Sequence, residues 1–418
     1  MSNAERVPPS AVGTAKTASG STRRNPTKFL TEEYQDIVAK GFDWKPPTLQ
    51  SPAGPRATYN GKECIVLCAN NYLNLANHPR LKEAAIEATK KWGAGSGSVR
   101  PIAANLDICL EVERRVAKFK HMEAALLYMS GFAANAGLLG PLAGGEGDVV
   151  LTDELNHGSI IDGLRLSKAE RVIYKHNDLA DLDRALEEAE RKNAKRIMVV
   201  TDGVFSMDGD IAPLPGIVKA AEQHGALVYV DDAHGEGVLG AGGRGCVDHF
   251  GLTGKVQVEI GTFSKALGVV GGYAAGSSDL RSFALNKSRS WLLSAAPSPA
   301  VCGASIAAID LLEKEPQHVQ RLWENTATWK KGLQQLGFDT GHSATPIVPV
   351  MLGESHVAKR FSERLFDHGV FALPIVFPMV ARDKARIRTI MNAGLTKADL
   401  DEALQAFATV GRELKVIR

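Results

Sequence analysis

Lys265 lies in the run Gly261-Thr262-Phe263-Ser264-Lys265-Ala266-Leu267-Gly268, downstream of Asp231 in Val230-Asp231-Asp232-Ala233-His234. A lysine among small, mostly uncharged residues can be desolvated, which lowers its pKa and makes its amine a nucleophile toward carbonyls. A carboxylate buried at a strand end is costly without a partner, and it can hold a ring nitrogen protonated. These are the two protein groups that pyridoxal 5'-phosphate (PLP) needs: a Schiff-base lysine and an acidic partner for the pyridinium. His234 is spaced to donate to a phenolic oxygen. Singly, each residue has an ordinary reading as a surface lysine, a turn aspartate or a structural histidine. Their conjunction favours the cofactor.

Further residues fit the same ligand. Ser130-Gly131-Phe132 follows an apolar run and precedes a helical pattern. Small residues at a helix start expose backbone N–H groups and the positive dipole end, a ready phosphate site; a plain strand-to-helix turn is the competing reading. Thr262 and Ser264 add hydroxyls suited to a phosphate. His157 follows another expected strand end, where an imidazole can stack on a flat ring. In Ala385-Arg386-Ile387-Arg388 the arginines alternate with apolar residues, so one faces inward and can clamp a carboxylate. Pattern alone favours a solvated strand arginine there. The glycine-rich segment 93–98 lacks both a preceding strand and a P-loop lysine, so it is not a nucleotide loop.

These residues must be carried by a layered frame. Short apolar runs at 125–129, 148–151, 171–174, 196–200, 226–230, 256–260 and 272–275 alternate with helical patterns. This predicts an α/β fold with a mostly parallel sheet covered by helices. Several runs end in polar residues, Thr152-Asp153, Thr201-Asp202 and Asp231-Asp232 among them, and ligands of such sheets bind outside the carboxyl ends of the strands. The spacing predicts a small hairpin over 56–68 turning at Asn60-Gly61. A long amphipathic helix is expected over 306–336, then a smaller α+β C-terminal domain with strands at 347–351 and 386–390 and helices at 355–369 and 397–413. The expected divisions are a flexible tail (1–27), an arm with the hairpin (28–75), a large PLP-binding domain (76–305) and the C-terminal domain (306–418).

With 418 residues, 44% of them hydrophobic, and a net charge of +2, the chain can bury a large core. Its charge makes no case for nucleic-acid or membrane partners. No apolar stretch is long enough for a membrane span, and no signal pattern opens the chain. The five cysteines are scattered with no C-x-x-C pair; they read as reduced thiols of a cytoplasmic protein, with no metal site.

The chain resembles the α-oxoamine synthases, PLP enzymes of fold type I that join an amino acid to an acyl-CoA with loss of CO2. Over residues 28–415 the markers are Cys68-Ala69-Asn70-Asn71-Tyr72-Leu73, Ser98-Val99-Arg100, Ser130-Gly131-Phe132, Asn156-His157-Gly158-Ser159, His176-Asn177-Asp178, the segment 202–210, the Asp231 and Lys265 runs and Ala385-Arg386-Ile387-Arg388. The resemblance implies that Lys265 carries the Schiff base, Asp231 binds the pyridine nitrogen, His234 meets the 3' oxygen, and His157 stacks on the ring. It places Ser206 on that side of the cofactor and Gly131, Phe132 and Thr262 at the phosphate. Ser294 reaches the phosphate from the second subunit of a homodimer with shared active sites. Asn70 and Arg388 bind the substrate carboxylate. Departures from the family pattern fall at Asn74, at Ala104-Asn105 with Cys109, and at Asn392-Ala393-Gly394-Leu395, and they bear on the substrate pocket. The local spelling leans toward the glycine C-acetyltransferase branch, with glycine and acetyl-CoA as substrates. Condensation of L-alanine with a longer acyl thioester, as in 8-amino-7-oxononanoate synthase, is the alternative, and serine palmitoyltransferase-like chemistry comes third. A carrier-protein thioester can replace the CoA ester. From other classes, a PLP aminotransferase and a non-catalytic subunit remain as readings; retention of Lys265, Asp231 and His157 argues against the last.

Overall fold

The computed structural model describes residues 25–41 and 43–418, so the expected tail lies almost wholly outside the described residues. The chain divides into two units, 1–48 and 49–418. In the first, helix α1 (Lys28–Ala39) buries none of its residues, and Phe29, Leu30, Tyr34, Ile37 and Val38 are all exposed.

The second unit opens with the hairpin β1 (Arg56–Tyr59) and β2 (Lys62–Val66). Asn60 and Gly61 both have positive φ, 48° and 81°, as a two-residue type I′ turn demands and as Asn-Gly prefers. Helices α2 (Pro79–Trp92) and α3 (Asp107–Phe119) lead into alternating elements: β3 (Ala124–Tyr128), α4 (Gly131–Leu142), β4 (Asp148–Asp153), α5 (Gly158–Arg165), β5 (Glu170–Tyr174), α6 (Leu179–Arg191), β6 (Arg196–Asp202), α7 (Leu214–Gln223), β7 (Leu227–Asp231), α8 (Cys246–His249), β8 (Val258–Thr262) and β9 (Gly272–Gly276). Their strands form one sheet in the order β3-β9-β8-β7-β6-β4-β5. The pairings from β5 to β8 are parallel, and β9 runs antiparallel to both neighbours. Successive strand residues point to opposite faces. Val149, Leu151, Val199, Val228 and Val230 therefore join the core on one face, while Val150, Met198, Val200, Tyr229 and Ile260 join the core on the other.

Beyond the sheet come α9 (Ser278–Lys287) and α10 (Arg289–Leu292). The single helix expected over 306–336 is two, α11 (Pro299–Lys314) and α12 (Gln317–Gln335). Pro316 has no N–H to continue α11 and restricts the residue before it; Glu315 leaves helical geometry at φ −129°, ψ 67°. The boundary expected at 305/306 thus falls inside α11. The remaining elements are β10 (Ile347–Gly353), α13 (Ser355–Asp367), β11 (Val370–Phe371), β12 (Pro374–Ile375), β13 (Ala385–Ile390) and α14 (Lys397–Glu413). Strands β10, β13 and β12 pair antiparallel, whereas β11 leaves them and pairs parallel with β2 of the N-terminal hairpin. Arg56 of the hairpin also bonds Asp399 at 2.6 Å in the capping box of α14. The hairpin is therefore structurally part of the C-terminal layer.

Among the described residues no helix is long and apolar enough to cross a membrane, and no cluster of His, Cys, Asp and Glu has metal-holding geometry. All five cysteines are unpaired.

Candidate active site

Strands β4, β6, β7 and β8 end at Asp153, Asp202, Asp231 and Thr262, and beyond these ends lies a cavity of about 210 Å³. Nine of the expected residues line it: Ser130, Gly131, Phe132, His157, Asp231, His234, Thr262, Ser264 and Lys265. Asn70, Ser206, Ser294 and Arg388 are not among its lining residues.

One end of the cavity suits an anion. Ser130 caps α4, its Oγ accepting from Ala133 N at 3.0 Å. The first-turn amides of Gly131 and Phe132 have no helical carbonyl to bond, as at any helix start. The helix can sit this low because β9 begins with glycine: a Cβ on Gly272 would lie 2.3 Å from Gly131 N. Thr262 Oγ1 lies 2.8 Å from Ser264 Oγ and donates to Gly271 O at 2.9 Å. Amides, helix dipole and hydroxyls together could hold a phosphate.

The other end holds charge in a dry place. Burial pulls the Lys265 amine below its ordinary pKa, against the attraction of Asp231 and Asp202. Asp231 Oδ1 accepts from Ala233 N at 3.1 Å and Oδ2 from Asn135 Nδ2 at 2.7 Å. The carboxylate is thereby fixed in orientation. Burial lowers the proton affinity of both histidines, that of His234 strongly. His157 caps α5, with Nδ1 accepting from Ser159 N at 3.2 Å and lying 2.7 Å from Ser159 Oγ. His234 Nδ1 is 2.8 Å from the buried Tyr72 hydroxyl.

A second cluster sits where β13 faces the loop after β6. Arg388 Nη1 donates to Ser206 O at 3.1 Å, while its Nε is buried without a partner. Arg386 is tied to Asp208 and to Met207 O. The same loop is held from its other side: Asp210 lies 2.6 Å from His176 Nε2, whose Nδ1 is 3.0 Å from Asp153. Asn70 Oδ1 is another buried orphan. Arg388 contributes to the electrostatics of Lys265, His234 and Tyr72. Of the two arginines in the motif, Arg386 is consumed by a protein carboxylate and Arg388 keeps a free donor.

Sequence reading placed Asp202 at the strand ends that face the site, without a role, and missed Ser159, Asn135 and Tyr72 as parts of it. Asn135 carried a signal, being the sole polar residue between Gly131 and Leu142; Tyr72 and Ser159 stood inside quoted motifs with no role attached. Asn74 has φ 59°, a region where asparagine is the usual substitute for glycine. Ala104, Cys109 and Leu395 are buried, and none lines the cavity.

The residues present fit PLP: an amine of lowered proton affinity, an oriented buried carboxylate, a flat imidazole, a phosphate cradle, and orphaned polar atoms on Asp202, Asn70 and Arg388 facing no protein partner. The fold and the site define a PLP-dependent transferase of fold type I. Residues 62–407 match the family model for aminotransferase class I and II. The chain is 54% identical to 8-amino-7-oxononanoate synthase of Symbiobacterium thermophilum, over 94% of this chain and 99% of the relative. It is 52% identical to the protein of that name from Thermoanaerobacter pseudethanolicus, over 93% and 98%. Among solved structures, the K265A variant of serine palmitoyltransferase from S. paucimobilis with a bound PLP–myriocin aldimine superposes with a TM-score of 0.88 at 31% identity, covering 94% of this chain and 98% of that one. The 8-amino-7-oxononanoate synthase of Francisella tularensis gives 0.72 at 26%, covering 84% and 98%. The chain belongs to the aminotransferase class I and II family and, within it, to the α-oxoamine synthases. It is a PLP-dependent enzyme of the acyltransferase type.

Proposed function

We propose that this enzyme condenses L-alanine with a pimeloyl-type thioester, releasing CO2 and the free thiol and leaving 8-amino-7-oxononanoate. The carbon count agrees: three from alanine and seven from the acyl group, less one lost as CO2, give the nine-carbon chain. What carries the reading is a buried Lys265 opposite Asp231, in a chain about half identical to proteins of that name. The relatives favour this over glycine with acetyl-CoA, the pairing toward which the local spelling of 68–73, 156–163 and 385–388 leans.

When bound, PLP supplies an electron sink that lets the amino-acid α-carbon carry negative charge. The rest is the work of the protein's own side chains. The free Nε–H of Arg388 and the side-chain amide N–H of Asn70 would donate to the substrate carboxylate and orient it. Lys265 would anchor the cofactor and, once displaced, take and return the α-proton; its lowered pKa suits a base near neutrality. Asp231 would hold the proton at the ring nitrogen, and His157 would cover the ring and exclude water. With the Tyr72 hydroxyl as donor to Nδ1, 2.8 Å away, His234 would be left with a proton on Nε2 to offer the 3' oxygen. Ser206 would stand on that side, with its carbonyl on Arg388. Gly131, Phe132 and Thr262 would hold the phosphate, with Ser294 completing it from the second subunit of a homodimer. Exposed Phe132 at the cavity and exposed Leu293 beside Ser294 support such a partner surface. The large domain would then carry the cofactor, and the C-terminal domain, through Arg388, the substrate.

The test is thiol release by PLP-loaded protein with glycine, alanine or serine crossed with acetyl-, pimeloyl- or palmitoyl-CoA. Release confined to alanine with pimeloyl-CoA supports the proposal; release with another pair reassigns the branch. Silence with CoA esters but turnover with a carrier-protein thioester reassigns the donor. PLP-dependent exchange with keto acids, without thiol release, would make the enzyme an aminotransferase.

A further inference from the structure

Two residues proposed to touch the cofactor, Asp231 at one edge and His157 on a face, come from different elements, β7 and the start of α5. One side chain from a third element joins them. Asn135, fully buried in the interior of α4, donates through Nδ2 to Asp231 Oδ2 at 2.7 Å and to Ser159 Oγ at 2.8 Å. Its amide has a single sensible orientation, because Tyr229, itself wholly buried, donates its hydroxyl to Asn135 Oδ1 at 2.7 Å. With both Nδ2 protons committed, the Ser159 hydroxyl is left to donate to His157 Nδ1, 2.7 Å away. Every proton in the chain is thus directed. Tyr229 orients Asn135; Asn135 holds Asp231 as an acceptor; Ser159 holds His157 with its proton on Nε2. A fully satisfied buried network of this kind fixes one geometry.

The backbone is shaped for it. Gly163 of α5 packs on α4 at the level of Asn135, where an added Cβ would lie 2.8 Å from Asn135 O and 2.9 Å from Leu139 Cδ1. Without that close approach Ser159 would not reach the amide. The cost of a polar residue in the middle of an otherwise apolar helix also calls for a purpose.

We propose that Asn135 is a positioning residue that couples the ring-nitrogen carboxylate, Asp231, to the ring-covering imidazole, His157, and keeps Asp231 the acceptor rather than the holder of the shared proton. The inference rests on the roles proposed above for those two residues. Removing the Asn135 donor strengthens the hold of Asp231 on that proton and leaves the ring less positive. The nitrogen linking Lys265 to the cofactor then keeps its own proton to higher pH.

The experiment is a pH titration of the visible absorbance of PLP-loaded protein, with PLP dissociation constants measured alongside, for Asn135→Ala, Tyr229→Phe and, as a control, Asp231→Asn. For Asn135→Ala the midpoint is expected to rise by about one pH unit and PLP binding to weaken about tenfold. Tyr229→Phe, which only frees the amide to turn, should move the midpoint the same way by less. A folded Asn135→Ala protein with the parental midpoint overturns the proposal. If that variant does not fold, an unmoved midpoint in Tyr229→Phe does so. An unmoved midpoint in Asp231→Asn instead overturns the site assignment beneath it, so the two failures are distinguishable.

Discussion

Asp202 and Asp231 stand in register at the ends of adjacent strands, β6 and β7, and both act on Lys265. Their surroundings differ. Asp231 accepts from the Asn135 amide and from Ala233 N, whereas Asp202 Oδ2 accepts from His157 N at 3.1 Å and Oδ1 has no partner. Burial, reinforced by Asp231, raises Asp202 well above the usual carboxylate range. This makes Asp202 the member of the pair whose charged form burial disfavours.

That assignment has a stability consequence in cofactor-free protein. The folded pKa of Asp202 is raised, so its unfavourable contribution is absent while both states are protonated and grows as pH rises past the unfolded value near 3.8. The Asp202→Asn variant should gain stability relative to the parent at pH 8, by about 1 kcal/mol or more, and gain least at pH 5. Urea unfolding at both pH values checks this; an advantage that shrinks from pH 5 to pH 8 would show that burial does not raise Asp202.

His176 is the opposite case. Burial disfavours its charge, but the carboxylates of Asp153 and Asp210 outweigh burial and push it up to about 10. The stabilisation is fully present below the unfolded value near 6.5 and is lost as pH rises through about 10. His176→Gln should therefore cost roughly 1 kcal/mol at pH 6, with the gap closing toward pH 10.5. Since His176 ties down the loop that carries Ser206, the variant should also raise the amino-acid KM more than it lowers kcat.

Replacing Lys265 with alanine removes both the anchor and the proposed base. Turnover should fall by at least ~10³, and the absorbance of the covalently held cofactor should vanish while apo-protein unfolding changes little. Retained turnover with an unchanged spectrum would move the site elsewhere.

Arg388→Lys keeps the charge but loses the planar fork. With its Nε free and its Nη1 on the Ser206 carbonyl, Arg388 should be read out as amino-acid affinity. The KM should rise about ten- to a hundredfold with a smaller change in kcat, and the acyl-thioester KM should stay near the parental value.

Gly163→Ala pushes a methyl group against backbone and against Leu139. Overpacking of this kind costs about 1–3 kcal/mol. If α5 yields instead of the core, the separation of Ser159 from Asn135 should appear as weaker PLP binding. Thermal unfolding with and without PLP separates the two outcomes.

The sequence by itself determined whatever depends on neighbours along the chain. Lys265 with its small flanking residues, Asp231 with His234 three positions on, and the cap and first turn at 130–132 all sit close together along the chain. The Asn60-Gly61 turn follows from φ alone. Pro316 was legible too, yet the amphipathic pattern continues across it, and periodicity on its own cannot see a helix broken in the middle. What tertiary structure alone decided are the relations across long separations: β9 reversed between β3 and β8, β11 crossing to the N-terminal hairpin, Asp202 brought level with Asp231, and Asn135 linking the end of β7 to the start of α5. Strand order and register are set by side-chain packing over the whole sheet, and a hydrogen bond between distant residues leaves no trace in the local alternation of polar and apolar positions.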